Sequence, residues 1–304
     1  MTGNFYIDNQ DIYSAYRIFV AKDGYKELVS FAPLKPVNSN NWAEEDGEEF
    51  DLYNPVLDTR ELSIRFVFHW DGARFGAFIE LLSDGAYHEF DFTEIGKKYM
   101  LRLVSQPNLS ILSTLGVFTL RFADDFPLSD YLYKAPQSDI VPQQEYWLDG
   151  RNLSEYGVHI TRGTEAQVLI SPNVKKNLLQ NLRNQSGAVY DGKNVFFQTK
   201  DVKLNCLMRA NSLEEFWKNY NALLFDLIRQ GERLLYFDKT MEEYSCYYKS
   251  CSVSNFIPSG KIWFEFSLIL VFTNFRANSE IYLLTTKNEE FIVTENDMFI
   301  ELLV

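Results

Sequence analysis

Apolar side chains in this chain recur mostly at every second position. Leu62, Ile64, Phe66 and Phe68 share one face of an alternating run, and Leu204, Cys206 and Met208 share one face of another. Period two marks a half-buried strand. The run Ile262 to Phe272 alternates too, but Trp263, Ile269 and Val271 make its second face apolar as well. A strand of that kind is expected between two layers, or beneath a partner subunit. Two stretches change period to three and four. Leu213, Phe216, Trp217, Tyr220, Leu223, Leu224, Leu227 and Ile228 form one helical stripe. Ser212 and Glu215 supply a capping box ahead of it, and Gly231 is expected as its C′ residue. Phe75, Phe78, Ile79 and Leu82 form a shorter stripe between Asp71, the expected N-cap, and Gly85. Each helix is expected to lie on a sheet and close its core.

The pattern occurs twice. Ser14 to Ile18 matches Ser154 to Val158, and the turn Gly47-Glu48-Glu49-Phe50-Asp51 matches Gly187-Ala188-Val189-Tyr190-Asp191, both at an offset of 140. Arg60 to Trp70 then falls on Asp201 to Asn211 at 141. Tyr99 to Arg102 falls on Tyr247 to Ser250, and Phe118 to Phe122 on Phe266 to Leu270, both at 148. The offset is expected to jump once, after the helix, where an insertion is cheap. Within each copy the order is the same. Early strands (Tyr13 to Ala21, Tyr156 to Thr161) precede a polar excursion opened by Pro33 or Pro172, then a long strand, a helix and three strands. In copy two those three are Arg233 to Asp238, Tyr244 to Val253 and Lys261 to Thr273. Ala135 to Gln144, with two prolines, is a linker. The expected organisation is therefore one domain over 1–137, a second over 138–279, and a terminal piece over 280–304. That piece holds three short strands, Ile281 to Leu284, Glu290 to Val293 and Met298 to Val304. It is too small to fold alone, so it must dock or add to a sheet edge.

Composition narrows the class. The chain has 304 residues, 16% of them aromatic, which favours strands and an α+β, β-rich protein. The net charge of −13 opposes sequence-independent nucleic-acid binding and an anionic membrane surface. No apolar run approaches the ~20 residues of a membrane helix, and the start, MTGNFYIDNQ, lacks the pattern of a secretory signal. Cys206, Cys246 and Cys251 form no C-x-x-C and are expected as small apolar strand residues in a reducing compartment.

Chemistry-bearing motifs are absent from the sequence. His69, His88 and His159 fall in no metal spacing and are expected at ordinary strand positions. No nucleophile elbow, phosphate loop or dinucleotide fingerprint occurs. The run Glu44 to Glu49 lacks the ligand alternation of a calcium loop and is expected as a solvated loop. Asp124 and Asp125 are not singled out as a glycosidase pair, since among 42 acidic residues such pairings arise anywhere. No catalytic, cofactor-binding or metal-binding residue is assigned, no cofactor is expected, and the chain is expected not to be an enzyme.

The order strand, excursion, G-x-x-(Phe/Tyr)-Asp turn, alternating strand, capped helix and three strands resembles the belt domain of phage distal tail proteins, which shares its fold with tail-tube subunits. The resemblance is fullest from Leu148-Asp149-Gly150 through Tyr156-Gly157-Val158, Tyr247-Tyr248-Lys249-Ser250 and on to Asn274-Phe275. It implies two tandem tail-tube-like domains, each a β-sandwich or barrel-like sheet pair with one packed helix. It further implies a structural tail component at the distal tail or baseplate hub, joining tube to tip. Distal tail proteins usually pair the belt domain with a galectin-like domain; a second belt-like domain here is similar to baseplate hub proteins. The implied partners are copies of itself in a ring (a hexamer, or a trimer with pseudo-six-fold symmetry) and other tail and baseplate proteins. DNA is implied only as cargo passing through an acidic lumen, no membrane is implied, and the location would be the virion tail, assembled in the host bacterial cytoplasm. A duplicated β-domain module that binds carbohydrate or a surface protein remains the alternative.

Overall fold

In the computed structural model the described residues are 3–69, 71–129, 131–175, 179–181, 183–190, 195–274, 281–283 and 301–303. The first half runs β1 (Phe5–Ile7), β2 (Gln10–Asp11), α1 (Ile12–Tyr16), β3 (Ile18–Val20), β4 (Ser39–Asn40), β5 (Glu49–Phe50), β6 (Arg60–His69), α2 (Gly72–Leu82), β7 (His88–Phe92), β8 (Lys97–Leu112) and β9 (Leu115–Asp124). The second runs β10 (Tyr146–Leu148), β11 (Arg151–Asn152), β12 (Val158–Ile160), α3 (Thr164–Leu169), β13 (Leu179–Gln180), β14 (Val189–Tyr190), β15 (Lys200–Ala210), α4 (Leu213–Leu227), β16 (Arg233–Phe237), β17 (Glu242–Ile257) and β18 (Ile262–Phe272). Single 3-10 turns occupy Glu27–Val29 and Leu153–Tyr156.

Each half builds one seven-stranded antiparallel sheet, and the two have the same order. The first is β2-β1-β7-β8-β9-β6-β3 and the second is β11-β10-β16-β17-β18-β15-β12. We call these unit one and unit two. The protein is thus α+β and β-rich, as its periodicity requires. The long strands β8 and β17 bend each sheet into a barrel-like pair of layers. Residues 97–101 of β8 pair with β7, while the stretch from Arg102 to Leu112 pairs with β9. Phe5 of β1 consequently meets Phe66 of β6 at 5.7 Å, and Phe90 meets Phe122 at 4.9 Å, closing an aromatic core.

The helices seal these cores as their stripes demand. Asp71 caps α2 by accepting from the amides of Ala73 and Arg74, and Phe78 packs on Phe66 and Phe118. Ser212 caps α4 through the Glu215 amide. The return bond of the box goes one residue early, from the Asn211 amide to Glu215 Oε2 at 2.9 Å. Gly231 is not the C′ residue, because α4 already ends at its C-cap Ile228.

Three sequence expectations need correcting. β6 maps on β15 at an offset of 140, not 141, since Phe66 pairs with Phe118 and Cys206 pairs with Phe266. An offset of 141 would set Leu62 on exposed Lys203 and invert the buried face. The later shift comes in two steps. β8 maps on β17 at 145, because Phe90 pairs with Tyr99 and Leu235 with Tyr244. Only the longer β17–β18 hairpin brings β9 and β18 to 148. Tyr244, not Tyr247, is therefore the counterpart of Tyr99. Finally, Tyr13 to Tyr16 is helical, and the first strand, Phe5–Ile7, lies before it.

In the terminal piece Ile281–Leu283 (β19) pairs with Glu301–Leu303 (β20). The stretch 290–293, and Asp191 of the second glycine turn, lie outside the described residues. Among the described residues no helix is long and apolar enough to cross a membrane.

Candidate assembly interface

The two units are joined by more than a tether. Unit one extends a strap and an arm, residues 28–58, across unit two. The strap begins where Arg60, at the start of β6, donates to the carbonyls of Leu28 at 3.0 Å and Ser30 at 2.8 Å. Arg60 is buried and also bonds Asp124 at 2.6 Å. The Tyr99 hydroxyl adds a bond to the Leu28 carbonyl at 2.8 Å. Held this way, the chain can only leave unit one, and Phe31 enters unit two.

Phe31 is 2% exposed. Its ring lies 4.4 Å from that of Tyr220 on α4 and 5.8 Å from that of Phe266 on β18. The flanking carbonyls are satisfied by tyrosines of unit two: Tyr220 donates to Ser30 at 3.0 Å and Tyr248 donates to Ala32 at 2.9 Å. Burial pushes both phenols well above the ordinary tyrosine range, so both are donors at neutral pH. The Leu34 amide then donates to the Lys249 carbonyl at 3.0 Å. Lys249 is the extra residue of a β-bulge between Tyr248 and Ser250, which turns its backbone out of the ladder.

The tip of the arm docks through the glycine turn. The Gly47 amide donates to Phe197 and the Glu48 amide to Thr273, at 2.8 and 3.2 Å, while Asp46 accepts from the Phe197 amide at 2.8 Å. Gly47 has φ +70°, and a Cβ there would lie 1.7 Å from the Thr273 carbonyl oxygen. Only glycine suits both the backbone and the contact. Lys175 donates to the Trp42 carbonyl at 2.8 Å, and Gly231 donates to Leu52 at 2.8 Å. On the other side of the junction the Trp217 indole donates to the Ile95 carbonyl at 2.7 Å, with Lys97 stacked over its ring. Burial and then the Arg60 charge hold the Lys97 ammonium below its ordinary range. The linker is itself docked: Gln137 exchanges backbone bonds with the buried Asn219 side chain of α4 at 3.0 and 3.1 Å.

His69, His88 and His159 all sit in strands, as expected. His88 is bonded to Asp8 and Asp84; burial lowers its pKa, but these two carboxylates outweigh burial and raise it. The three cysteines are strand residues with free thiols. The Glu44 to Glu49 run is not merely a solvated loop. It is the tip of the arm, with Gly47 buried and Glu48 accepting from Ser39 and Asn41. Asp124 and Asp125 do not converge on one space: Asp124 is held by Arg60, and Asp125 is bonded by Arg102, Tyr87 and Thr59. The hydrogen bonds from Arg102 hold the Asp125 carboxyl down to about 2. A cleft of about 1220 Å³ lies between the units, and Asp124 and Glu214 are its lining carboxylates. No group of three or more His, Cys, Asp or Glu able to hold a metal occurs among the described residues. Phe31 was missed from sequence; its signal was an apolar Phe-Ala-Pro-Leu cluster opening a polar stretch.

No family model matches the chain, and no curated protein matches it. Among solved structures it is similar to SPP1 Dit (gp 19.1), described as a paradigm of the hub adsorption apparatus in phages infecting Gram-positive bacteria. The identity is 11%, the match covers 88% of this chain and 97% of that one, and the TM-score is 0.33. A likeness of that size establishes neither fold nor function.

Proposed function

We propose that this chain is a structural, non-catalytic component of a phage or phage-like tail, a ring protein of the distal tail or baseplate hub that joins the tail tube to the tip. One architectural unit, duplicated over about 1–137 and 138–279, tiles around an axis. The observation that carries this reading is the one-sided docking of two units with the same strand order. Among the described residues unit one gives its arm to unit two and receives no arm in return, so the contact is heterologous. Repetition of a heterologous contact produces either a closed ring or an open filament. The net charge of −13 suits a lumen through which DNA passes without releasing counterions. Mass photometry with electron microscopy tests the reading. Closed rings of three or six chains of 35.5 kDa support it, and a glycan-binding monomer would replace it with a recognition module.

A further inference from the structure

The arm of unit one has a counterpart in unit two, whose stem carries the first arm through Lys175 and Phe197 but whose strap and glycine turn are exposed. Lys200 occupies the place of Arg60, at an offset of 140, and does the same work. Its ammonium donates to the carbonyls of Val168 at 2.5 Å and Ile170 at 2.6 Å, the counterparts of Leu28 and Ser30. The strap therefore leaves unit two along the same course. The stems match as well, with the bridge Leu34–Leu57 in one unit and Val174–Phe197 in the other.

Their surroundings differ. Val29, Phe31 and Ala32 are at most 2% exposed beneath unit two. In the second strap Leu169 is 50%, Ile170 58% and Val174 38% exposed. Gly47 is clamped on Thr273, whereas Gly187, in the same turn at φ +85°, is exposed with no described atom within 4 Å of its Cβ position. The second strap thus keeps an unusual glycine conformation and three exposed apolar side chains, with nothing among the described residues to receive them.

Unit one carries the matching receiver, also uncovered. Val104 is the counterpart of Lys249, and it too is the extra residue of a bulge, between Leu103 and Ser105. Val104 is 39% exposed, and Phe126, directly after Asp125 (the counterpart of Thr273), is 53% exposed.

We infer that the occupant of this receiver is a second copy of the chain: the strap of unit two docks on unit one of the next molecule as the strap of unit one docks on unit two of its own. Val174 N–H meets the Val104 carbonyl, Ile170 and Leu169 cover the apolar surface beside it, and the Gly187 turn abuts Asp125. This inference rests on the ring reading and specifies its interface. It makes assembly head to tail, with every chain both donor and receiver.

Cysteine crosslinking tests it. Two backbones joined by an N–H to carbonyl bond run about 4.7–4.9 Å apart, within reach of a disulfide between the bonded residues. Chains bearing Val174→Cys and chains bearing Val104→Cys, oxidised together with diamide, should give covalent two-chain species. Each alone should behave as wild type, and the double variant should give a ladder ending at the ring. Ile170→Glu and Val104→Glu should each abolish the ring while leaving the monomer's thermal midpoint unchanged. Rings that persist in both Glu variants, or crosslinks that form between Val174→Cys chains alone, overturn the interface and leave the ring reading standing. A wild-type chain that stays monomeric overturns both.

Discussion

Replacing Phe31 with alanine removes a buried aromatic ring that unit one places in unit two. The ring is 2% exposed and lies among Tyr220, Tyr248 and Phe266. Transfer of a phenylalanine side chain to water costs roughly 1.5–3 kcal/mol. The cavity left between aromatic rings that cannot collapse together brings the total to about 3–5 kcal/mol. A protein of this kind holds only about 5–15 kcal/mol in all, so the junction should be weakened before either sheet is. Urea unfolding followed by tryptophan fluorescence reads this, because Trp217 sits at the junction with its indole bonded to Ile95. The expected result is a lower first midpoint and a single transition that splits into two. Ser171→Ala, at the exposed counterpart position, should move nothing by more than about 0.5 kcal/mol. A Phe31→Ala cost below about 1 kcal/mol, with one unsplit transition, would refute a junction centred on this ring.

Arg60→Met leaves Asp124 buried without its cation and should cost about 3–5 kcal/mol by chemical denaturation, much of it recovered in Arg60→Met/Asp124→Leu. Gly47→Val should open the tip of the arm, seen as faster hydrogen exchange at the Glu48 amide with exchange in β6 unchanged. Asp125 has a depressed folded pKa of about 2, so its stabilisation is present above the ordinary carboxylate value and is lost as pH falls through about 2. Asp125→Asn should therefore lower the thermal midpoint at pH 7, and that difference should shrink toward pH 2. His88 has a raised folded pKa. Its contribution is complete below the unfolded value near 6.5 and fades as pH rises through the folded value, so His88→Gln should cost more at pH 5.5 than at pH 8.5.

The repeat was legible because each strand announces its buried face. Leu62, Ile64, Phe66 and Phe68 alternate as Val202, Leu204, Cys206 and Met208 do, and burial follows that alternation residue by residue. Matching by residue type misled where shape, not identity, is kept. Tyr99 and Tyr247 share a residue type, yet the buried ring in the place of Tyr99 is Tyr244. The candidate interface was mostly illegible. The strap has no period of its own, because each of its residues answers a different partner: the Phe31 ring a pocket of aromatic rings, the Leu34 amide a bulged carbonyl, the Gly47 backbone another backbone at close range. The glycine turn was noticed as a recurring motif, but its purpose depends on Thr273, more than two hundred residues later in the chain. The acidic run looked like solvated surface because the carboxylates of Glu48 and Glu49 bond within the arm, while Asp46 and the backbone of the turn make the contact.

The most direct measurement is the mass and shape of the purified full-length protein by mass photometry and negative-stain electron microscopy. A closed ring with a central opening, built from a fixed small number of chains, is the predicted result. A particle that remains a single chain at every concentration, or pairs about a two-fold axis, contradicts the account.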